Sequence, residues 1–116
     1  MTRLVNPARG TTVAGSVERA RTVRERLQGL LGRTSLGEGC ALVIEPCTSI
    51  HTFFMKFAID VAFLDRGGRV VRAIGAMRPF RATRVYPSAA LVVELPSGTL
   101  SRTSTREGDL LVFEDV

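Results

Sequence analysis

The sequence predicts a mainly β protein with a minor α component. The expected architecture is one small domain over residues 1–116, a β-barrel or compact sheet of five to seven strands with one amphipathic helix near residues 17–31. Three observations point there. Short β-branched or aromatic runs recur along the chain, Gly, Pro and Asp punctuate them, and a three-and-four-residue apolar repeat occurs near the N-terminus. The length agrees: 116 residues with 45% apolar side chains suit a single core, and a chain of this size buries roughly two-thirds of its unfolded surface.

A short strand near Arg3–Asn6 or Thr11–Ala14 opens the chain. Next, Ala20, Val23, Leu27, Leu30 and Leu31 recur at helical spacing and fall on one face. Ser16 is placed as N-cap, Glu18 suits the positive end of the helix dipole, and Gly32 supplies a residue that ends a helix without a Cβ penalty. Arg24 and Arg26 flank the apolar stripe and can reach the rim of the core. The strands ALVIE (41–45), IDVAFLD (59–65), RVVRAIGA (69–76), LVVEL (91–95) and LLVFE (110–114) follow. Asp65-Arg66-Gly67-Gly68 reads as a hairpin loop, and Glu107-Gly108-Asp109 as a tight turn before the last strand. Pro79, Pro87 and Pro96 exclude long helices from the second half.

Composition excludes several classes. The apolar content and the 23% of charged residues rule out disorder. No uncharged apolar run approaches the roughly 18 residues of a membrane-spanning helix. The opening MTRLVNPARGTT has no apolar h-region, so a cytoplasmic location is expected, with Cys40 and Cys47 as reduced thiols. The chain is basic, with a net charge of +5, and all but one of its 16 basic residues are arginine, the exception being Lys56. Six of those arginines, Arg66, Arg69, Arg72, Arg78, Arg81 and Arg84, fall within residues 66–84, where there is no acid. Such a block can bind phosphates or an acidic partner, or simply solvate the surface. Nucleic acid is the disfavoured partner, because stacking modules interleave aromatics with basic residues and this block offers only Phe80.

The densest polar and reactive stretch runs from Cys47 through His51 to Met55 and Lys56. A Cys/His pair can act as nucleophile and base, or supply two metal ligands with Met55 as a soft third. Cys40 is too far along an extended strand to complete such a set, so no metal is assigned. The plain alternative is a small apolar Cys47 and a hydrogen-bonded His51 in a loop. Phe53, Phe54, Met55 and Phe57 can line an apolar pocket beside His51 or serve as core. Asp60 and Glu94 sit inside apolar strands and, if buried, need a cationic partner or several N–H donors. Arg24 and Arg26 are the candidate ion-pair partners. The functional alternative uses the two carboxylates as general acid and base.

The order of motifs resembles a family catalogued as domain of unknown function 192. The residues are Arg26-x-x-Gly29-Leu30-Leu31-Gly32-Arg33, Cys47-x-x-Ile50-His51-Thr52-x-x-Met55, Ile59-Asp60-Val61-x-Phe63-Leu64-Asp65, Gly68-Arg69-Val70-Val71, Val93-Glu94-Leu95-x-x-Gly98 and Gly108-Asp109. The resemblance implies a small, mainly β fold with one helix, and it names no reaction. Arg26, Gly29, Met55, Asp60, Phe63, Glu94, Gly98 and Asp109 match the family signature, while Cys47 and His51 match its I-H-T branch.

With no cofactor motif and no assembled catalytic set, the expected function is a non-catalytic accessory module. It would bind a small molecule or protein through a pocket near His51–Lys56 comprising Cys47, His51, Met55, Asp60 and Glu94. The alternative is a small hydrolase-like or metal-assisted enzyme using His51 with Cys47, Asp60 or Glu94. That enzyme requires those groups to converge within roughly 3 Å or one water of each other.

Overall fold

A computed structural model of the chain describes residues 1–20, 22, 30 and 32–116. Among these residues the strands are β1 (Thr2–Asn6), β2 (Thr11–Ala14), β3 (Ser16–Ala20), β4 (Cys40–Ile44), β5 (Ile59–Leu64), β6 (Val70–Met77), β7 (Leu91–Pro96) and β8 (Val112–Asp115). A 3-10 turn, Pro7–Arg9, joins β1 to β2, and a single-turn helix α1 (Thr99–Arg102) follows β7. The strands form a three-stranded sheet, β2-β1-β8, and a five-stranded sheet, β3-β4-β7-β5-β6. All neighbours are antiparallel except β3 and β4. The protein is mainly β, as expected, and the two sheets stay separate rather than closing into a barrel. No helix among the described residues is long and apolar enough to cross a membrane.

One expectation needs correcting. Residues 17–20, assigned to the start of a helix, lie in β3, and Ser16 pairs with Cys40 in a parallel ladder instead of capping a helix. Pairing with the apolar strand β4 overrides the helical preference of the Glu18-Arg19-Ala20 stretch. Arg19 adds to this from β3, its guanidinium 4.5 Å from the Phe113 ring centre and 3.8 Å from Glu45. Of the rest of the expected helix only Thr22, in a bend, and Leu30, in a turn, are described, and Arg24 and Arg26 lie outside the described residues. The strand count rises to eight among the described residues because both candidate opening strands form and β3 joins them.

The hairpin between β5 and β6 follows from its residues. Asp65 accepts hydrogen bonds from the Gly67 and Arg69 N–H groups, each 2.9 Å from Oδ1. Gly68 has φ of +94°, and a Cβ there would lie 2.5 Å from the Leu111 carbonyl oxygen, so only glycine fits against the residue that leads into β8.

Two cores flank the five-stranded sheet. Between the sheets, Leu4, Val13 and Leu111 pack on Val43, Leu64 and Val93. On the other face, Leu42, Ile59, Val61, Phe63 and Val92 are covered by the connections between strands, through Leu30, Leu36, Met55, Tyr86 and Ala89. Asp109 ties the N-terminal strand to the last turn. Its carboxylate accepts from Arg9, from the buried Asn6 amide and from the Arg106 N–H, and these contacts hold it well below the usual carboxylate range.

Candidate functional site

Sheet topology brings two connections together. The β4–β5 connection (45–58) leaves from the end of the sheet where Ile44 pairs with Val92, and enters β5 at the opposite end, where Ile59 pairs with Met77. The β6–β7 connection (78–90) makes the reverse journey. The two straps therefore cross the second face side by side, in opposite directions. Backbone hydrogen bonds join them along their length: Tyr86 N–H to Thr48 O at 2.8 Å, Thr83 N–H to Ile50 O at 2.9 Å, and Thr52 N–H to Arg81 O at 2.8 Å.

Thr52 is the hub of this seam. It is fully buried, its hydroxyl donates to Arg78 O at 2.6 Å, and the same oxygen accepts the Arg81 N–H at 3.0 Å. Its carbonyl accepts the Phe80 N–H at 3.0 Å. Beyond it the straps turn sharply, and Phe54 and Phe80 adopt φ of +66° and +61°. Bulky residues avoid that region, so the surrounding bonds impose it.

The product is an outward-facing aromatic patch. Phe54 is 75% exposed, Phe80 56% and Phe53 41%. Their rings touch one another, Phe54 edge-on to Phe80 at 5.7 Å and Phe53 tilted to Phe80 at 6.4 Å, while His51 stacks on Phe53 at 5.1 Å. Beside the patch runs a groove of about 470 Å³ lined by Arg72, Arg78, Arg81 and Arg84, with Met77 and Tyr86. Arg72 faces Glu107 at 3.6 Å. No described carboxylate pairs with Arg78, Arg81 or Arg84.

The expected site residues separate. His51 lies in the patch, its Nδ1 accepting the Phe53 N–H at 3.3 Å. Met55 is buried in the second core and Phe57 packs against it, so the aromatic run splits, with Phe53 and Phe54 facing outward. The half-buried Cys47 thiol donates to Ser49 O at 3.1 Å and not to His51. Burial pushes that thiol's pKa up, the Ser49 contact opposes the shift and the Glu94 charge adds to it. It is therefore a poor source of thiolate.

Asp60 pairs with Leu95 and shares the inter-sheet face, whereas Glu94 pairs with Val61 on the strap-covered face. The two carboxylates are on opposite sides of one sheet and do not form an acid–base pair. Asp60 accepts backbone N–H bonds from Ala76 at 2.8 Å, Gly98 at 3.1 Å and Leu100 at 2.8 Å. Three donors on a buried carboxylate make it an anchor that fixes the bend in β6 and the turn into α1. Glu94 is 4% exposed and meets no donor among the described residues, and burial raises its pKa to about 7. Among the described residues no three His, Cys, Asp or Glu side chains cluster as cation ligands.

Sequence reasoning passed over Thr52 and treated Phe80 and the arginines apart from His51. The only sequence signal was that Phe53-Phe54 and Phe80 are each followed or flanked by basic residues.

Comparison with known proteins agrees with this fold. Residues 4–113 match the family model DUF192, described as an uncharacterized ACR. A UPF0127 protein of Thermococcus gammatolerans is 32% identical, covering 96% of this chain and 74% of the relative. Another from Pyrococcus horikoshii is 31% identical over 91% of this chain and 94% of its own length. Among solved structures, a protein of unknown function from Novosphingobium aromaticivorans aligns with a TM-score of 0.81 at 21% identity, over 96% of this chain and 82% of that one. A putative transcription regulator from Sinorhizobium meliloti aligns with a TM-score of 0.78 at 22% identity, over 97% and 91%. At these identities the two structures establish the fold.

Proposed function

The chain belongs to the DUF192 family, and from that premise we propose that it is a non-catalytic binding module whose recognition surface is the tip of the two straps, around His51–Lys56 and Arg78–Arg84. The observation that carries this is the exposed Phe53, Phe54 and Phe80 cluster, held by a buried threonine and by two phenylalanines in left-handed backbone conformations. Exposed apolar rings cost solubility, and strained backbone costs stability. A surface that combines both is favoured where a partner covers it.

The alternative of a small hydrolase-like or metal-assisted enzyme has one point in its favour, the Glu94 carboxyl with its pKa of about 7. Against it, Glu94 is buried in the second core, the Cys47 thiol is held by Ser49 O, and Asp60 is on the other face of the sheet.

Native mass spectrometry of protein purified gently from cells tests the proposal. A bound mass should appear on the wild type and be lost from the Phe54→Ala/Phe80→Ala variant. A mass that the variant retains, or a turnover abolished by His51→Ala with the fold intact, contradicts it.

A further inference from the structure

The tip presents two kinds of group at once: the guanidinium groups of Arg78, Arg81 and Arg84, which meet no carboxylate among the described residues, in a groove, and flat apolar rings beside it. Resting on the binding-module reading, we infer that its ligand is a single-stranded nucleic acid. The phosphates lie along Arg78, Arg81 and Arg84, and unstacked bases lie against Phe53, Phe54 and Phe80. The linear sequence argues against this ligand, since Phe80 is the sole aromatic in the arginine block. Folding removes the objection, because the 45–58 strap delivers Phe53 and Phe54 to within 6.4 Å and 5.7 Å of the Phe80 ring.

The chemistry selects among polyanions. An acidic peptide satisfies the arginines but offers no flat faces for the rings. A duplex keeps its base faces stacked on one another, out of reach of the phenylalanines. A single strand alternates charge and exposed base, and arginine grooves with aromatic platforms match that alternation without reading sequence. Arg78 and Arg81 flank Phe80 in the chain and line the groove, so charge and ring alternate on the protein as well.

Fluorescence anisotropy of the full chain is the test. The probes are labelled oligothymidylate and oligouridylate of about 12 nucleotides, a length within single-strand site sizes. A labelled oligoglutamate peptide of similar length serves as the competing polyanion. Both oligonucleotides should bind, and the arm that binds more tightly identifies DNA or RNA as the preferred form of the strand. With three arginines on phosphates, affinity should fall about 20-fold between about 50 and about 200 mM salt. Phe54→Ala/Phe80→Ala should weaken binding about tenfold or more, and Phe54→Trp should keep it, because stacking needs any aromatic face. Arg78→Ser/Arg84→Ser should flatten the salt dependence, whereas Arg3→Ser, on the other sheet, should change neither property.

Oligonucleotide binding that ignores the phenylalanine substitutions overturns the inference, since it is then charge attraction alone. So does failure of both oligonucleotides to bind. If oligoglutamate binds instead and is lost in the same variants, the nucleic-acid inference falls while the binding surface stands. If a mass seen by native spectrometry also persists on Phe54→Ala/Phe80→Ala, both fall.

Discussion

On one face of the five-stranded sheet, Asp60 is 1% exposed with three backbone N–H groups on its oxygens. On the other, Glu94 is 4% exposed with no donor among the described residues. The first face is sealed by the second sheet, and Asp60 is joined there by the hydrogen-bonded Asn6–Asp109–Arg9 network. The second is covered by two straps whose own hydrogen bonds run to each other and end in exposed phenylalanines. Polar groups on the inter-sheet side fix the scaffold, while those on the strap side hold a surface in position. Burial alone therefore does not mark a functional carboxylate; its partners show what it does.

The sharpest way to break this contrast is at Asp60. Asp60→Ala removes the acceptor of three N–H donors, the Leu100 bond buried and the Ala76 and Gly98 bonds half-buried. It should destabilise the protein by about 3 kcal/mol in a urea melt, since an unpaired buried donor costs about 1–3 kcal/mol and a half-buried one less. A loss below about 1 kcal/mol would show that Asp60 is not an anchor.

Glu94 should respond to pH with the opposite sign from a paired carboxylate. Its pKa is raised from 4.5 to about 7 on folding, so across that window the folded protein holds a proton that the unfolded chain has released. Stability contributed by this group is present below pH 4.5 and falls as pH rises to about 7, by about 3 kcal/mol in all. The difference in unfolding free energy between Glu94→Gln and the wild type should grow by about that amount, in favour of the variant, between acid and mildly alkaline pH. A constant difference would place a cationic partner on Glu94. Asp109 follows the usual rule: its stabilisation is present above pH 3.8 and is lost as pH falls below that value.

At the seam, Thr52→Val removes the hydroxyl shared by Arg78 O and the Arg81 N–H. It should cost about 2 kcal/mol and speed amide exchange in both straps while leaving the inter-sheet amides protected. The smallest stability effect belongs to the tip. Phe54→Ala/Phe80→Ala should move stability by less than about 0.5 kcal/mol, because exposed rings contribute little to the core. A large loss would make the patch structural.

Much of the scaffold was legible in the sequence. The strands of the second half, the Asp65–Gly68 hairpin and the Gly108 turn announce themselves through β-branched runs and glycine. The period of two also put Asp60 with Ala62 and Leu64, and Glu94 with Val92. It could not tell which face meets the second sheet, because β5 is buried on both sides and carries no alternation of polarity. Strand β3 was hidden because its charged residues suit a helix and only the parallel partner β4 makes it a strand. The aromatic–arginine tip was hidden for a topological reason. Its two halves lie some thirty residues apart in the chain and meet only because both straps cross the same face.

The most direct test of the tip as the recognition surface is an amide NMR titration of the full chain with the thymidylate oligonucleotide. The shifts should concentrate in residues 51–56 and 78–84, with β1, β2 and β8 unmoved. Shifts centred on the three-stranded sheet, or none at saturating oligonucleotide, would contradict the assignment.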